Sequence, residues 1–429
     1  MINAIAENIA RCGGRAFYTG GYVRDFLING EFPSETDIDI EVFHMEQGEL
    51  LKILSEFGVV KVFGKIYPLI KIKGYPKLDF TIAGADNYEQ AVLRRDFTIN
   101  ALLMDILSGE ILDYVGGRND ISQRVIRHTQ AAVFEDDPLR AYRAVVLAAR
   151  LKFSIHPETI KLMTEVDFQS VPPERVYQEL KKLLLVTKPS LGLRYLKETG
   201  VLQKLHPDLY RLIGCRQQPK NHPEGDVWEH TLLVVDKAAE LKNNSKSPVV
   251  LMWAALLHDI GKPATTKKRE DKITAYGHDL AGEKVAAKFL EDLKSSSILM
   301  GEVANLVREH MHPVLLYKQR ENVSDKAINK LVNRVDLREL LLLSEADYLG
   351  RALERDYAPI RDWYMEKVKQ LGLELGQRIE PLVRGKDLVE LGLKPDKSFK
   401  ELLDLAFELQ LEGKGKEEIL QELKGKVYI

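Results

Sequence analysis

Hydrophobic and polar positions change their rhythm along this chain. Over the first ~115 residues, short apolar runs alternate with charged or glycine-bearing breaks, the pattern of strands joined by turns. An opening helix is expected to end near Gly13-Gly14, and RAFYTGG reads as a short strand running into a glycine turn. Strand-like runs follow at Asp37–Phe43, Val59–Phe63, Pro68–Lys73 and Lys77–Ile82, with a further pair around Leu102–Ile106 and Ile111–Asp113. From about Asp136 onward, apolar residues recur three and four apart, the helical period. Pro138 suits the first turn of a helix there, with Asp136 or Asp137 as its N-cap. VPPERVYQELKKLLL opens on proline in the same way. Arg216–Gly225 is polar and proline-bearing, as a linker would be, and short amphipathic helices begin near Gly376. No internal repeat or low-complexity tract interrupts this order.

These rhythms predict an α+β protein in four parts: a small mixed-sheet head (1–126), an all-α neck (127–215), a larger helical module (216–372) and a short helical C-terminal module (373–429). A chain of 429 residues is too long for one hydrophobic core, so several modules are expected. With 45% hydrophobic and 29% charged residues it has the make-up of a folded globular protein. No apolar run reaches membrane-spanning length, and MINAIAENIARCGG lacks the basic and apolar regions of a secretory signal. Cys12 and Cys215 make no disulfide framework, and a reducing cytoplasm is the expected location. The 62 basic residues nearly balance the 64 acidic ones, so any nucleic-acid contact must come from local charge.

The head carries the first candidate chemistry. In Asp37-Ile38-Asp39 a spacing of two puts both carboxylates on one face of a strand. Two such acids, with Asp79 of KLDFTI as a third, suit a pair of divalent ions about 4 Å apart, the arrangement used for in-line phosphoryl transfer. An Asp-x-Asp alone is more often a solvated strand edge, so its neighbours matter. Upstream, TGGYVRD offers Gly20-Gly21 for close backbone approach to phosphate and Arg24 for a forked phosphate contact. Downstream, RRDFTINALLMD adds Arg94, Arg95, Asp96 and Asn100.

Taken in order, GGYVRD, Asp-x-Asp, RRDFTINAL, DYVGG and DDPLRAYRA resemble the class II tRNA nucleotidyltransferase and poly(A) polymerase family over roughly the first 150 residues. The resemblance implies a nucleotidyltransferase head with Mg2+ on Asp37 and Asp39, beside which Asp79 stands as the candidate third catalytic carboxylate. It implies triphosphate binding by Gly20, Gly21 and Arg24, and further nucleotide contacts from Arg94, Arg95, Asp96 and Asn100. The family's base-reading element falls on Asp136-Asp137-Pro138-Leu139-Arg140, implicating Asp137 and Arg140, neighbours if on one helix, with Arg143 beyond them. A carboxylate and a guanidinium together match the edges of C and A but not those of G and U, each pairing contributing roughly 1–3 kcal/mol by analogy with groove readout. The implied substrates are ATP, CTP and the tRNA 3′ end, and the implied product is the CCA terminus. Glu174 and Arg175 match a neck-helix element that supports the neck.

Two departures bear on what is added. Asp136 stands where the family has Glu, and the 83–93 segment, AGADNYEQAVL, is shorter than the family's flexible loop. The resemblance connects loss of that loop with addition of the two cytidines only. Poly(A) synthesis shares the head and is a further alternative.

The middle module holds a second constellation: HPEGDVWEH, then LLHDIGK, then YGHD, then REHMH and SEADY. Imidazoles with carboxylates suit a divalent metal whose open positions take water. Over 222–350 this spacing resembles the HD phosphohydrolase superfamily, which implies His230, His258, Asp259 and Asp347 as ligands. His278 and His310 complete a two-metal set, His312 faces elsewhere, and Lys262 steadies a phosphate. Phosphatase and 2′,3′-cyclic phosphodiesterase chemistry follow from that resemblance. A protein in which this hydrolase is the main activity and the head only binds RNA is the alternative of another class.

Overall fold

The computed structural model describes residues 1–33, 36–64, 68–83, 87–270, 272–393 and 398–427. Parts of two stretches singled out above, 84–86 in the short loop and 394–397 in the C-terminal module, lie outside them. By internal contacts the chain forms two compact units: Met1–Leu183 with Leu191–Leu205, and Leu184–Ser190 with His206–Ile429.

The first unit is built on a seven-stranded sheet in the order β3-β4-β5-β2-β1-β6-β7. Its strands are β1 (Arg15–Thr19), β2 (Ile38–Phe43), β3 (Val60–Phe63), β4 (Leu69–Ile72), β5 (Leu78–Ile82), β6 (Leu103–Asp105) and β7 (Ile111–Leu112). All lie inside the runs expected from the sequence. β2 and β5 pair in parallel, and every other pairing is antiparallel.

Strand alternation decides what each face carries. Ala16, Ile40, Val42, Ile70, Ile72, Leu78 and Phe80 point to one face and pack under the helices Ile2–Arg11 and Gln47–Ser55. Phe17, Phe43 and Leu103 point to the other and meet Ala91 and Val92 of the helix Tyr88–Leu93. The same alternation sends Asp39, Glu41, Asp79 and Lys71 to this second face, so apolar burial on one side fixes where the carboxylates go.

Gly20-Gly21 does not form the expected turn. The pair opens the helix Gly20–Asn29 directly from β1, so the backbone N–H groups of a helix N-terminus replace a free loop. The second difference lies in the neck. Pro138 has no N–H and restricts the residue before it, so the helix Val133–Asp136 stops with Asp137 extended at φ −148° and the next helix runs Arg140–Leu151. Otherwise the neck is helical, apart from a two-residue parallel pairing of Val125–Ile126 with Ser154–Ile155.

In the second unit the helices Val227–Leu241, Pro248–Leu257, His278–Asp292, Ser297–Glu309 and Leu337–Leu349 surround buried Trp228, Trp253, Leu256 and Leu343. A small hairpin, Lys267–Arg269 with Lys272–Thr274, is the strand content missed from the sequence. The C-terminal helices Gly385–Glu390, Ser398–Leu411 and Lys416–Val427 keep a core of their own around Leu388, Leu409, Ile419 and Leu423. No described helix is long and apolar enough to cross a membrane.

Candidate nucleotidyl-transfer and metal sites

A cavity of about 530 Å³ in the first unit is lined by Gly20, Gly21, Arg24, Asp37, Asp39, Arg94, Arg95, Asp96, Asn100, Arg140 and Arg143. Residues spread over ~120 positions of chain are thus brought to one place. Asp39 stands in register with Asp79 on the adjacent parallel strand. Although Asp39 is open to the cavity, protein crowds it elsewhere. The loss of water raises its carboxyl, Arg95 opposes the rise, and neighbouring Asp79 and Asp37 add to it. Gly20 is required here. Its φ is +66°, and a Cβ would lie 3.1 Å from Asp39 Oδ2.

Several expected ligands are occupied in this state. Asp79 does not line the cavity; its carboxylate is held by Lys71 at 2.6 Å. Arg24, expected to fork onto a phosphate, is 2% exposed and bonds Asp25 at 2.7 Å and Asn100 at 2.6 Å. Buried Asp96 accepts from Asn100 at 3.0 Å and forms an ion pair with Arg143 at 2.8 Å. Arg95 pairs with Glu41. Arg94 is exposed and lines the cavity.

Asp137 and Arg140 are not stacked on one helix face, because the break at Pro138 separates them. Asp137 accepts from Leu139 N–H at 3.2 Å and from Arg175 at 2.8 Å, outside the cavity lining. Arg140 lines the cavity, and its guanidinium donates to the carbonyls of Val133 (3.1 Å) and Arg94 (2.9 Å). Lys71, Arg150 and Lys182 were not singled out in the sequence. Only the fold brings the last two to the cavity wall.

The second unit gathers the expected metal ligands into two groups of three, His230, His258 and Asp347, and Asp259, His278 and His310, and His222 and Glu224 form a third such group with His230. Each comes from a place where a helix begins, ends or presents a buried face. His258 caps the C-terminus of its helix, which turns the adjacent Asp259 inward. Gly261 lets the His278 segment approach, since a Cβ there would fall 2.1 Å from the His278 carbonyl. His278 opens the next helix, and His310 ends another. His312 pairs with Glu309 at 3.1 Å and stays outside both groups.

The donor chemistry fits metal ions. Nδ1 of His258, His278 and His310 faces the carbonyls of Ala255 (2.9 Å), Ala275 (2.7 Å) and Val307 (2.6 Å). A carbonyl only accepts, so each neutral ring keeps its proton on Nδ1 and leaves Nε2 as a bare lone pair. Nε2 of His278 and His310 then face each other at 3.4 Å, and buried His258 Nε2, 3.2 Å from Asp259 Oδ2, makes no hydrogen bond. Such a nest of acceptors calls for cations. Burial, reinforced by nearby His258, takes His310 down to about 4. Burial alone would raise Asp259 and Asp347, yet Lys262 and Arg351 respectively hold them well below the usual range. Lys262 lies 2.5 Å from Asp259, and Arg351 lies 3.2 Å from Asp347. Both cations line a cavity of about 530 Å³ above the cluster, with Arg216, Lys318 and Arg355.

Known proteins match this arrangement part by part. Residues 73–127 match the poly A polymerase head domain, 152–212 the family described as "Probable RNA and SrmB- binding site of polymerase A", and 227–352 the HD domain. A multifunctional CCA protein of Xanthomonas campestris is 35% identical over 391 residues, covering 85% of this chain and 92% of its own. The chain belongs to the multifunctional CCA protein family. Another member, from Actinobacillus pleuropneumoniae, is 37% identical over 300 residues, 67% of this chain and 72% of its own. The family fold extends over nearly the whole chain. A Bacillus stearothermophilus CCA-adding enzyme solved in complex with CTP has a TM-score of 0.65 at 22% identity, covering 99% of this chain and 96% of that one. A Thermotoga maritima CCA-adding enzyme complexed with tRNA has a TM-score of 0.63 at 20% identity, covering 99% and 94%. At that identity these two speak for the fold.

Proposed function

We propose that the head adds C and A nucleotides to the tRNA 3′ end without a template, and that the second unit is a metal-dependent phosphohydrolase. The observation that carries the first reading is one cavity in which the glycine-opened helix, Asp37, Asp39, Arg94, Arg95 and the neck arginines converge. Family membership supports the same activity, with ATP, CTP and tRNA as substrates and the cytoplasm as the place of work.

In this reading Asp37 and Asp39 hold Mg2+, which when bound activates the tRNA 3′-hydroxyl and neutralises the triphosphate. The hydroxyl oxygen bonds to the α-phosphorus as the bond to pyrophosphate breaks, and the hydroxyl proton leaves to solvent. Gly20 and Gly21 let the helix N-terminus approach the phosphates. Arg94, Arg95 and Arg143 offset their charge, with Asp96 and Asn100 fixing Arg143 and Arg24 in place. Asp79 holds Lys71 beside the pair and takes part once that ion pair opens. Arg140, held by two carbonyls, presents its remaining N–H edge to the base, and Asp137 completes the reading pair by exchanging Arg175 for the base amine.

In the second unit His230, His258, Asp259, His278, His310 and Asp347 hold one or two divalent ions of the type imidazole favours, which when bound supply hydroxide. Lys262 and Arg351 bind the phosphate of a phosphomonoester or 2′,3′-cyclic phosphate.

The test supplies tRNA ending at the discriminator base, at C or at CC with each NTP, then sequences the 3′ ends. Addition of C, C and one A is expected. Arrest after CC would make this a CC-adding specialist, a long A tract a poly(A) polymerase, and no incorporation would refute the transferase.

A further inference from the structure

The four imidazoles of the second centre are not held alike. Three rest their Nδ1 on backbone carbonyls, as described above. His230 does not. Its Nδ1 lies 2.9 Å from Oε1 of Glu224, an ion-pair contact not aligned as a hydrogen bond, with a carboxylate whose side chain is only 3% exposed. The same oxygen lies 2.9 Å from Nδ1 of His222. The other oxygen, Oε2, accepts from Ala352 N–H at 3.4 Å. Glu224 is thus fixed from three sides, and Gly225 at φ +119° with Asp226 capping the next helix sets it beneath His230. On the opposite edge of the ring, Nε2 stands 3.0 Å from Asp347 and 3.7 Å from Asp259.

Building on the proposal that this centre holds metal, we infer that Glu224 is a positioning residue that makes the His230–His258–Asp347 position the tighter of two unequal ion positions. With an ion on Nε2 in place of the Asp347 hydrogen bond, the ring proton sits on Nδ1, and the Glu224 carboxylate beside it accepts that N–H in a hydrogen bond that fixes the ring plane. A carboxylate on Nδ1 also makes Nε2 a stronger donor than a carbonyl does. Exposure points the same way. His230 and His258 are fully buried, so only Asp347 of their group lines the cavity, whereas both Asp259 and the more exposed His278 of the other group do. Water and substrate therefore exchange more readily at the Asp259–His278–His310 position.

The probe is Co2+ titrated into the chelator-stripped full chain and followed by visible absorption. Asp37→Ala and Asp39→Ala are present in every arm to remove ions from the head. The expected result is two binding steps, the weaker one lost in His278→Ala. Glu224→Gln, nearly isosteric but uncharged, weakens the tighter step about tenfold or more and leaves the weaker step in place. Circular dichroism and the melting temperature in chelator check that each variant is folded. General damage would weaken both steps together, and that result overturns the inference. So does an unchanged tighter step in Glu224→Gln. A third ion that disappears in His222→Ala would place metal on Nδ1 of His230 and also overturn it. Absence of any Co2+ binding in the parent chain would instead remove the metal-centre reading itself.

Discussion

The two candidate centres use carboxylates in opposite ways. In the head, Asp37 and Asp39 are exposed at the start of the central strand β2, and the neighbouring acid Asp79 is paired with Lys71. In the second unit, Asp259 and Asp347 are buried among four imidazoles, three of whose proton positions are already set by the backbone. The first arrangement suits hard, water-loving Mg2+ that arrives with a triphosphate and leaves with pyrophosphate. The second suits a resident ion that stays through many turnovers. An open acidic pair and a closed histidine nest thus fit substrate-borne and protein-borne metal.

The largest expected effect separates the two. Asp39→Ala lowers nucleotide addition by about a thousandfold or more, since the ion that activates the nucleophile loses its holder, while metal content of the second unit is unchanged. His258→Ala does the reverse: hydrolysis of a 2′,3′-cyclic phosphate falls by at least about a hundredfold, metal analysis shows loss at the second centre, and nucleotide addition persists.

The next prediction sets the units apart by pH. His206 is buried in the second unit and its pKa is lowered by that burial to about 3. It is neutral when folded, whereas the unfolded chain takes up the proton near pH 6.5. Its contribution to stability is therefore full above 6.5 and falls by ~1.4 kcal/mol per pH unit below that, until the folded pKa is reached. Melting temperature against pH measures the slope, and His206→Phe should flatten it.

Gly20→Ala sharpens the comparison within the head. A methyl group on a backbone at φ +66°, beside Asp39, costs ~1–2 kcal/mol and displaces the carboxylate. Stability falls by that amount and kcat for addition falls with it, with no change in hydrolysis. The smallest effect is expected from Arg175→Ala. Releasing Asp137 from its 2.8 Å ion pair should shift the ratio of C to A incorporation by less than ~10-fold, within one pairing's worth of discrimination, measured with CTP and ATP in competition.

Much of this was legible before any coordinates. Short apolar runs bounded by charged or glycine-bearing breaks placed β1–β7, and within β2 Asp39 took its direction from the alternation with Ile40 and Val42. The histidine spacing led to both metal groups, because each ligand stands at a helix boundary or on a buried helical face. What escaped was side-chain partnership. Arg24 resembled a free phosphate ligand until Asp25 and Asn100 were seen to hold it. Asp137 and Arg140 counted as helical neighbours until Pro138 was seen to break the helix between them. Lys71 and Glu224 belong to no pattern of period two or 3.6, and their importance comes only from pairing across strands or loops.

The most direct measurement follows labelled CTP and ATP incorporation into tRNA lacking its 3′ CCA by the parent chain, Asp39→Ala and His258→Ala side by side. The parent and His258→Ala should add C, C and A, and Asp39→Ala should add nothing. Incorporation that survives Asp39→Ala, or that vanishes in His258→Ala, would contradict the assignment of nucleotide addition to the head.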